Sequence, residues 1–364
     1  MKLVKKVTIY ANPDPLLVSR QAVFPGVVQL ADDSLVAVFS IGQAFDAADH
    51  RAFVSKSTDL GQSWSPPKRL HNHEFQPHPI SETLKPLVLT DGNLLATGYG
   101  FVRPDDLTAI VDADTFAVLP LRNMVSRSTD NGQSWDAPRV IDIGGQPLEM
   151  SGPCISLKSG RIIAAAPPFH LGADGHSGWI VFSDDGGESW AKLSTFFESP
   201  GGNVAAWECR LCETNPGWVV VLFWAYDNQE KSNLNNHMVV SEDGGQTFGP
   251  AIDTGVHGQA SNLIALGDNK VLTIHAHRED PVGLWVRQVD IGANGFRIER
   301  ELNLFSGNAT TNGMGSDATN IKKQFGSLKF GQPSLLPLSN GQVFAACWMV
   351  EDCQHVINGF ILDL

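Results

Sequence analysis

Two histidines one residue apart, His275-Ala276-His277, project from the same side of an extended strand, because side chains alternate with a period of two along β structure. Arg278 follows at once and adds a clamp for an anion. Joined by Tyr226, these groups suit eliminative cleavage of a uronate-containing sugar, with a base and a carboxylate clamp supplied by side chains alone. By themselves, His275 and His277 are the one pair spaced for Zn²⁺ ligation; otherwise neither a metal nor a cofactor is expected. His78, His170 and His257 are further imidazoles, equally suited to hydrogen bonding with sugar hydroxyls or loop backbone. Cys209 and Cys212 have a metal-like spacing, but their flanks read as strand and turn, which makes them buried thiols.

These residues need elements to position them, and the strongest signal for those elements is a repeat. Ser57-Thr58-Asp59-Leu60-Gly61-Gln62-Ser63-Trp64 recurs as Ser128 to Trp135, Ser183 to Trp190 and Ser241 to Phe248. The spacings, roughly 55 to 70 residues, are those of a radial array of sheets. In each copy the aspartate accepts N–H groups of its own turn and the glycine tolerates positive φ. An alternating strand-like run precedes each copy and an aromatic closes it, so each copy is a hairpin turn packed against a neighbouring sheet. A group needed for one reaction is needed once per site, so four recurring aspartates are structural.

A second repeat pairs two apolar strands about a polar turn. Six such hairpins run through Val27–Phe39, Pro86–Ala96, Cys154–Ala164, Arg210–Val221, Asn262–Leu272 and Ser334–Phe344. The fold class that follows is all-β, a six-bladed β-propeller with four strands per blade occupying residues 1–364 as a single domain. The last blade ends at its third strand, so Leu3 to Tyr10 supplies the missing outer strand. With 364 residues, 42% hydrophobic, 35 Gly and 21 Pro, the chain has the core and the turns for this.

The topology assigns recognition to one side. The Ser-x-Asp-x-Gly turns and the Asp91-Gly92 type of turn share one side of the ring, which leaves the residues opening each first strand and the loops after each second strand on the other. Openers include Arg20, Gln21, His78, Glu82, Glu149, Trp207, Glu208, His257, Gln259 and Gln332; the loops supply Asp46, Asp49, Arg51, Tyr99, Arg103, His170, Tyr226, Asp227, His275, His277, Arg278, Trp348 and Glu351. Convergent carboxylates, imidazoles and aromatic faces suit a sugar. Two long segments lie on the same side: Phe101 to Arg122, with Asp105, Asp106, Asp112 and Asp114, as a wall, and Ser306 to Gly331 as a lid or an oligomer contact.

The turn motif resembles the Asp-box, or bacterial neuraminidase repeat, and the chain as a whole resembles the sialidase superfamily. That resemblance implies a carbohydrate-active propeller whose relatives use three arginines, a tyrosine nucleophile with a glutamate partner, and an aspartate acid/base. The glutamate corresponds to Glu208 in Trp207-Glu208-Cys209-Arg210 and the aspartate to Asp49. The first arginine is absent at Val23-Phe24-Pro25, the next position holds Tyr226, Arg278 is the candidate for the third, and Gln332 stands where the tyrosine is expected. The expected function is therefore glycoside hydrolysis of a non-sialic-acid or atypical acidic sugar, with Asp49 and Glu208 as paired carboxylates. A polysaccharide lyase using His, Tyr and Arg, and a glycan-binding propeller without turnover, are the alternatives.

A formal charge of −13 spread along the chain, without a basic patch, argues against nucleic acid as a partner. The expected partner is a small-molecule or oligosaccharide substrate, and a homo-oligomer is compatible with the sequence. Neither a signal peptide nor a membrane span is evident, and five cysteines, an odd number, fit a reducing, cytoplasmic compartment.

Overall fold

The computed structural model describes residues 1–172, 174–292, 295–307 and 328–364. Its strands form six antiparallel sheets, five of four strands and one of five, and the arrangement is a six-bladed β-propeller. Two compact units hold three blades each.

The unit of Lys2–Ile141 and Lys329–Leu364 contains blades one, two and six. Blade one runs Gln21–Gln29, Leu35–Gly42, Arg51–Ser57 and Lys68–Arg69; blade two runs Ile80–Val88, Leu94–Val102, Leu121–Ser128 and Arg139–Ile141. Blade six takes Phe330–Pro337, Val343–Glu351 and Gln354–Asp363 from the end of the chain and Lys2–Tyr10 from its beginning. The expected N-terminal strand is thus in place, antiparallel to Gln354–Asp363. It covers what would be an open sheet edge.

The other unit, Asp142–Leu328 with Met1, contains blades three to five. Blade three is Ile155–Ser156, Ile162–Ala165, Ser177–Ser183 and Ala191–Glu198. Blade four is Val204–Asn215, Trp218–Asp227, His237–Ser241 and Ile252–Asp253, with the short strand Ser232–Asn233 added to its second strand. Blade five is Ser261–Gly267, Lys270–His277, Gly283–Asp290 and Arg297–Ser306.

Second strands are packed on both faces, which is why Leu35–Gly42 reads as a nearly continuous apolar run and is buried throughout. Fourth strands are more exposed: Arg139 and Val140 of Arg139–Ile141 face solvent, as do most residues of Arg297–Ser306 in part. The core lies between successive blades: Val36 and Val38 of blade one pack with Leu84, Leu94 and Met124 of blade two, and Ile163 and Ile180 of blade three with Val219 and Phe223 of blade four.

The four repeated turns are hydrogen-bonded as the sequence requires. In the second copy Ser128 Oγ donates to Asp130 Oδ1 (2.8 Å) and accepts from Gly132 N (2.9 Å), while Ser134 donates to Asp130 through both N and Oγ (2.9 and 2.5 Å). These bonds hold Asp130 at about 2, well below the usual carboxylate range; the bonds to Ser63 and Ser57 bring Asp59 to about 2 against the opposing effect of burial, and those to Thr247 and Ser241 do the same for Asp243. Two of the turns lean on the preceding blade. Trp64 meets Phe344 of blade six (centroids 5.7 Å) and Phe248 meets Phe196 of blade three (6.1 Å). Gly61, at φ 87°, lies so close to Phe344 that a Cβ would sit 2.5 Å from its ring.

A second device recurs in the first strands of blades one, four and six. A register shift lies between Val23 and Gly26, between Trp207 and Arg210, and between Gly331 and Ser334. Inside each stands a non-glycine residue at positive φ: Phe24 (60°), Glu208 (50°) and Gln332 (40°). Such β-bulges re-aim a side chain at a cost of order 1–3 kcal/mol, offset by the surrounding structure. In blades one and six the offset is visible. Lys85 of blade two is fully buried and donates to Phe24 O (2.6 Å), Pro25 O (3.2 Å) and Gln332 Oε1 (3.3 Å).

Among the described residues no helix is long and apolar enough to cross a membrane. The Ser306–Gly331 segment, expected to form a lid or oligomer contact, falls mostly outside the described residues, which exclude 308–327.

Two predictions follow from these devices. Asp130→Asn should destabilise the fold by about 1–2 kcal/mol at pH 7 in chemical denaturation, the scale of a lost charge-assisted acceptor at an exposed turn. Because the folded pKa is depressed, that contribution is complete above about pH 4 and fades as pH falls toward 2, so parent and variant should converge in acid. Lys85→Met should cost about 2–4 kcal/mol, since it leaves three buried acceptors without their donor; a loss below 0.5 kcal/mol, on the order of a surface change, contradicts the clamp.

Candidate functional site

Blade four opens with the run that draws most of the candidate groups together. Trp207 stacks on Tyr226 (centroids 4.6 Å, 16°) and meets Trp224 edge-on (5.1 Å, 79°), forming an aromatic shelf on the first two strands. Arg278 lies over Trp224 at 6.0 Å, and its N–H donates to Gln259 Oε1 (2.7 Å). Trp224 Nε1 donates to Asn233, whose amide in turn donates to Glu279; the other Glu279 oxygen meets His257 Nε2. Burial raises the Tyr226 phenol above its ordinary value, so it is a poor base at neutral pH.

Beside the shelf, the bulge holds Glu208. Its carboxylate accepts from Arg210 Nη2 (3.0 Å), and Arg210 also donates to Ser151 Oγ (3.1 Å) and Cys209 O (2.9 Å). Glu208 N faces Glu149 Oε1 at 3.4 Å. Glu149 stands ahead of blade three, where its N–H bonds Pro167 O. The Glu208 side chain keeps 16% of its surface exposed, whereas Arg210 keeps 2% and Glu149 is buried. Enclosure, and then the charge of Glu208, push the Glu149 carboxyl up to about 8; Arg210 offsets this only in part. The same surroundings push the Cys209 thiol up, and burial takes Cys212 to about 12, so neither is a nucleophile or a ready metal ligand.

The remaining candidates divide by burial. His275 and His277 do share a face, as expected, but that face meets Arg287, whose Nη1 lies 3.4 Å from His275 Nδ1 and 3.2 Å from His277 Nε2. Burial and the guanidinium hold both imidazoles below their usual range, His277 at about 3. A cation wedged between them opposes metal binding, and among the described residues no group of three His, Cys, Asp or Glu is placed to hold an ion. Glu82, expected to face substrate, is buried instead: it accepts from Ala52 N (3.0 Å) and from His71 Nε2 through both oxygens. Trp348, likewise expected at the substrate, is fully buried under Phe45 and His355. Gln332 is buried and occupied by Lys85. These three pack and brace because their strands are covered where the sequence pattern cannot say so.

His170 stacks on His176 (4.1 Å) and bonds Asp174 O, a loop role; His78 is exposed ahead of Ile80–Val88. Arg51 spans Ala48 O, His50 O and Ile80 O and reaches Glu74. Asp49 is exposed and accepts from Gln43 N (2.9 Å) in a cleft of about 320 Å³ on blade one. The Phe101–Arg122 aspartates are used as turn acceptors: Asp105 takes Leu107 N and Thr108 N, and Asp112 takes Asp114 N and Thr115 N.

A cleft of about 770 Å³ opens where the repeated turns of blades three and four lie, which differs from the expectation that clefts belong to the other side. Its acidic groups are already committed. Asp243 serves Ser241, Gln246 and Thr247; Asp184 pairs with Arg161; Glu213 accepts from Lys158 N and Gly217 N. Chemistry therefore concentrates at Glu208, not in the larger cavity.

Turns of this kind, blade after blade, define a sialidase-like β-propeller. The chain belongs to the BNR repeat-like domain family, whose model matches residues 107–307. It is similar to a solved protein of unknown function from Dyadobacter fermentans (24% identity, TM-score 0.76, 100% of this chain and 99% of that one). It is also similar to a Hadza microbial sialidase (17%, 0.70, 99% and 68%) and to the NanB sialidase from Streptococcus pneumoniae (14%, 0.65, 98% and 70%). At these identities the likeness is one of fold. No curated protein sequence matches the chain.

Glu149 is an opener to which the sequence alone gives no role, and neither Arg210 nor Arg287 stands out in the sequence as a site residue. Arg210, two residues beyond Glu208, carried a signal as an opposite charge on the same short run. Glu149 lies 59 residues from Glu208, and only the fold brings them together.

Glu149 also has a thermodynamic signature. It is neutral when folded and ionised above about pH 4.5 when unfolded, so stability falls as pH rises from there toward 8. Glu149→Gln should remove that slope, gaining at least about 1 kcal/mol on the parent between pH 5 and 8 in denaturant titrations. A constant difference across that range contradicts the assignment.

Proposed function

We propose that this protein is a glycoside hydrolase acting on a non-sialic-acid or atypical acidic sugar, with Glu208 as the carboxylate that meets the substrate. The observation that carries this reading is the Glu208–Glu149–Arg210 cluster beside the Trp207–Tyr226 shelf. A sugar ring stacks on an aromatic face while a carboxylate acts at the bond. Two neighbouring carboxyls whose surroundings push them apart divide the roles of anion and proton holder. Glu149, enclosed behind Glu208, is a positioning residue that keeps its proton and braces the bulge through the Glu208 N–H. Asp49 remains a proposed second site residue, at the sugar rather than at this cluster.

Sialic acid hydrolysis by the relatives' route has less support, since Gln332 stands at the nucleophile's position and is held by Lys85. The lyase reading is weakened by the enclosure of His275 and His277 against Arg287. The proposed partner is an oligosaccharide, and the proposed compartment is the reducing cytoplasm, which the exposed free thiol of Cys353 suits.

Screening the protein against uronosides, sialosides and neutral glycosides tests the reading. Turnover of one class, lowered at least about 10³-fold by Glu208→Gln with binding retained, is expected. Full activity in Glu208→Gln, or binding without turnover of every class, overturns it.

A further inference from the structure

The cleft on blade one is cationic and has an apolar wall. Three arginines border it: Arg20, ahead of the first strand; Arg51, opening the third; and Arg69, ending the fourth. Val18, Ile41 and Phe53 supply the apolar wall. Glu74 accepts from Arg51 Nη2 (3.2 Å) and Arg69 Nη1 (2.9 Å), while Arg20 is exposed with no ion pair among the described residues. Arg69 Nε and Nη2 find no acceptor there either. Among the described lining residues three guanidiniums face one carboxylate, Asp49, and Glu74 beside the cleft pairs with two of them, so the cleft keeps a positive charge on a chain whose net charge is −13.

Asp49 decides what kind of anion fits. Its Oδ1 is fixed by Gln43 N, and its Oδ2 has no partner among the described residues. A bare anion would meet that carboxylate with repulsion. A sugar carrying an anionic substituent would instead set its charge against Arg20 and Arg69, donate a hydroxyl to Asp49 and lay its ring along Phe53. At about 320 Å³ the space matches the small end of ligand pockets.

We infer that this cleft is a subsite for an anionic sugar unit, its charge being a uronate carboxylate or a sulfate ester. The inference concerns binding at blade one and stands apart from hydrolysis at Glu208. An enzyme with such a subsite would grip an acidic glycan away from the bond it cleaves.

Calorimetric titration with glucuronic acid, glucose 6-sulfate, methyl glucoside and inorganic sulfate tests it. Either or both acidic sugars should bind, the relative affinities showing which anion is preferred. Methyl glucoside and inorganic sulfate should each bind at least about tenfold more weakly than the better acidic sugar. Arg20→Ala, an exposed change that cannot unfold the chain, and Arg69→Gln should each weaken that binding at least about threefold, and 0.5 M salt should weaken it further. Inorganic sulfate binding as tightly as the sugars, equal affinity for methyl glucoside, or indifference to both arginine variants overturns the subsite. Turnover is read separately: activity that survives with no arginine-dependent binding rejects the cleft and spares Glu208, and arginine-dependent binding without turnover does the reverse.

Discussion

Two carboxyl groups enclosed beside one guanidinium cannot both be ionised without leaving a buried charge uncompensated. That constraint governs the Glu149–Glu208–Arg210 cluster and everything proposed for it. Arg210, itself almost wholly buried, is spent on Glu208 and Ser151. Glu149 takes the N–H of Glu208 and the hydroxyl of Ser151, and has a raised affinity for its proton. The two acids thereby differ in role because their surroundings differ, not because their side chains do.

The bulge makes this arrangement possible. A regular strand would turn Glu208 and Arg210 the same way and leave Cys209 opposite; the register shift after Trp207 and the positive φ of Glu208 break that alternation. The bulges at Phe24 and Gln332 are geometrically similar, yet their stored strain is met by the ammonium of Lys85 binding carbonyls and an amide. One backbone device thus serves chemistry in blade four and bracing in blades one and six, according to which side chain it carries and what faces it.

Much of the fold was legible because its signals are local and repeated. Ser128, Asp130, Gly132 and Ser134 satisfy one another within seven residues, so the turn is written where it is read. Glu208 was legible by its place at the opening of a blade. What stayed hidden depends on partners brought in from other strands. The His275–His277 pair was correctly placed on one face, but nothing nearby announced that Arg287 of the next strand would fill it. Glu82 and Trp348 occupy positions that look like openers and loop residues, and they are covered by His71, on the preceding connection, and by Phe45, from the far end of the chain.

The proton held by Glu149 is the claim on which the functional account turns, and carboxyl ¹³C NMR of the labelled protein across pH 4 to 9 observes it directly. The account predicts that the Glu149 resonance remains that of a neutral acid through pH 7. A Glu149 carboxyl already ionised at pH 6 would contradict it.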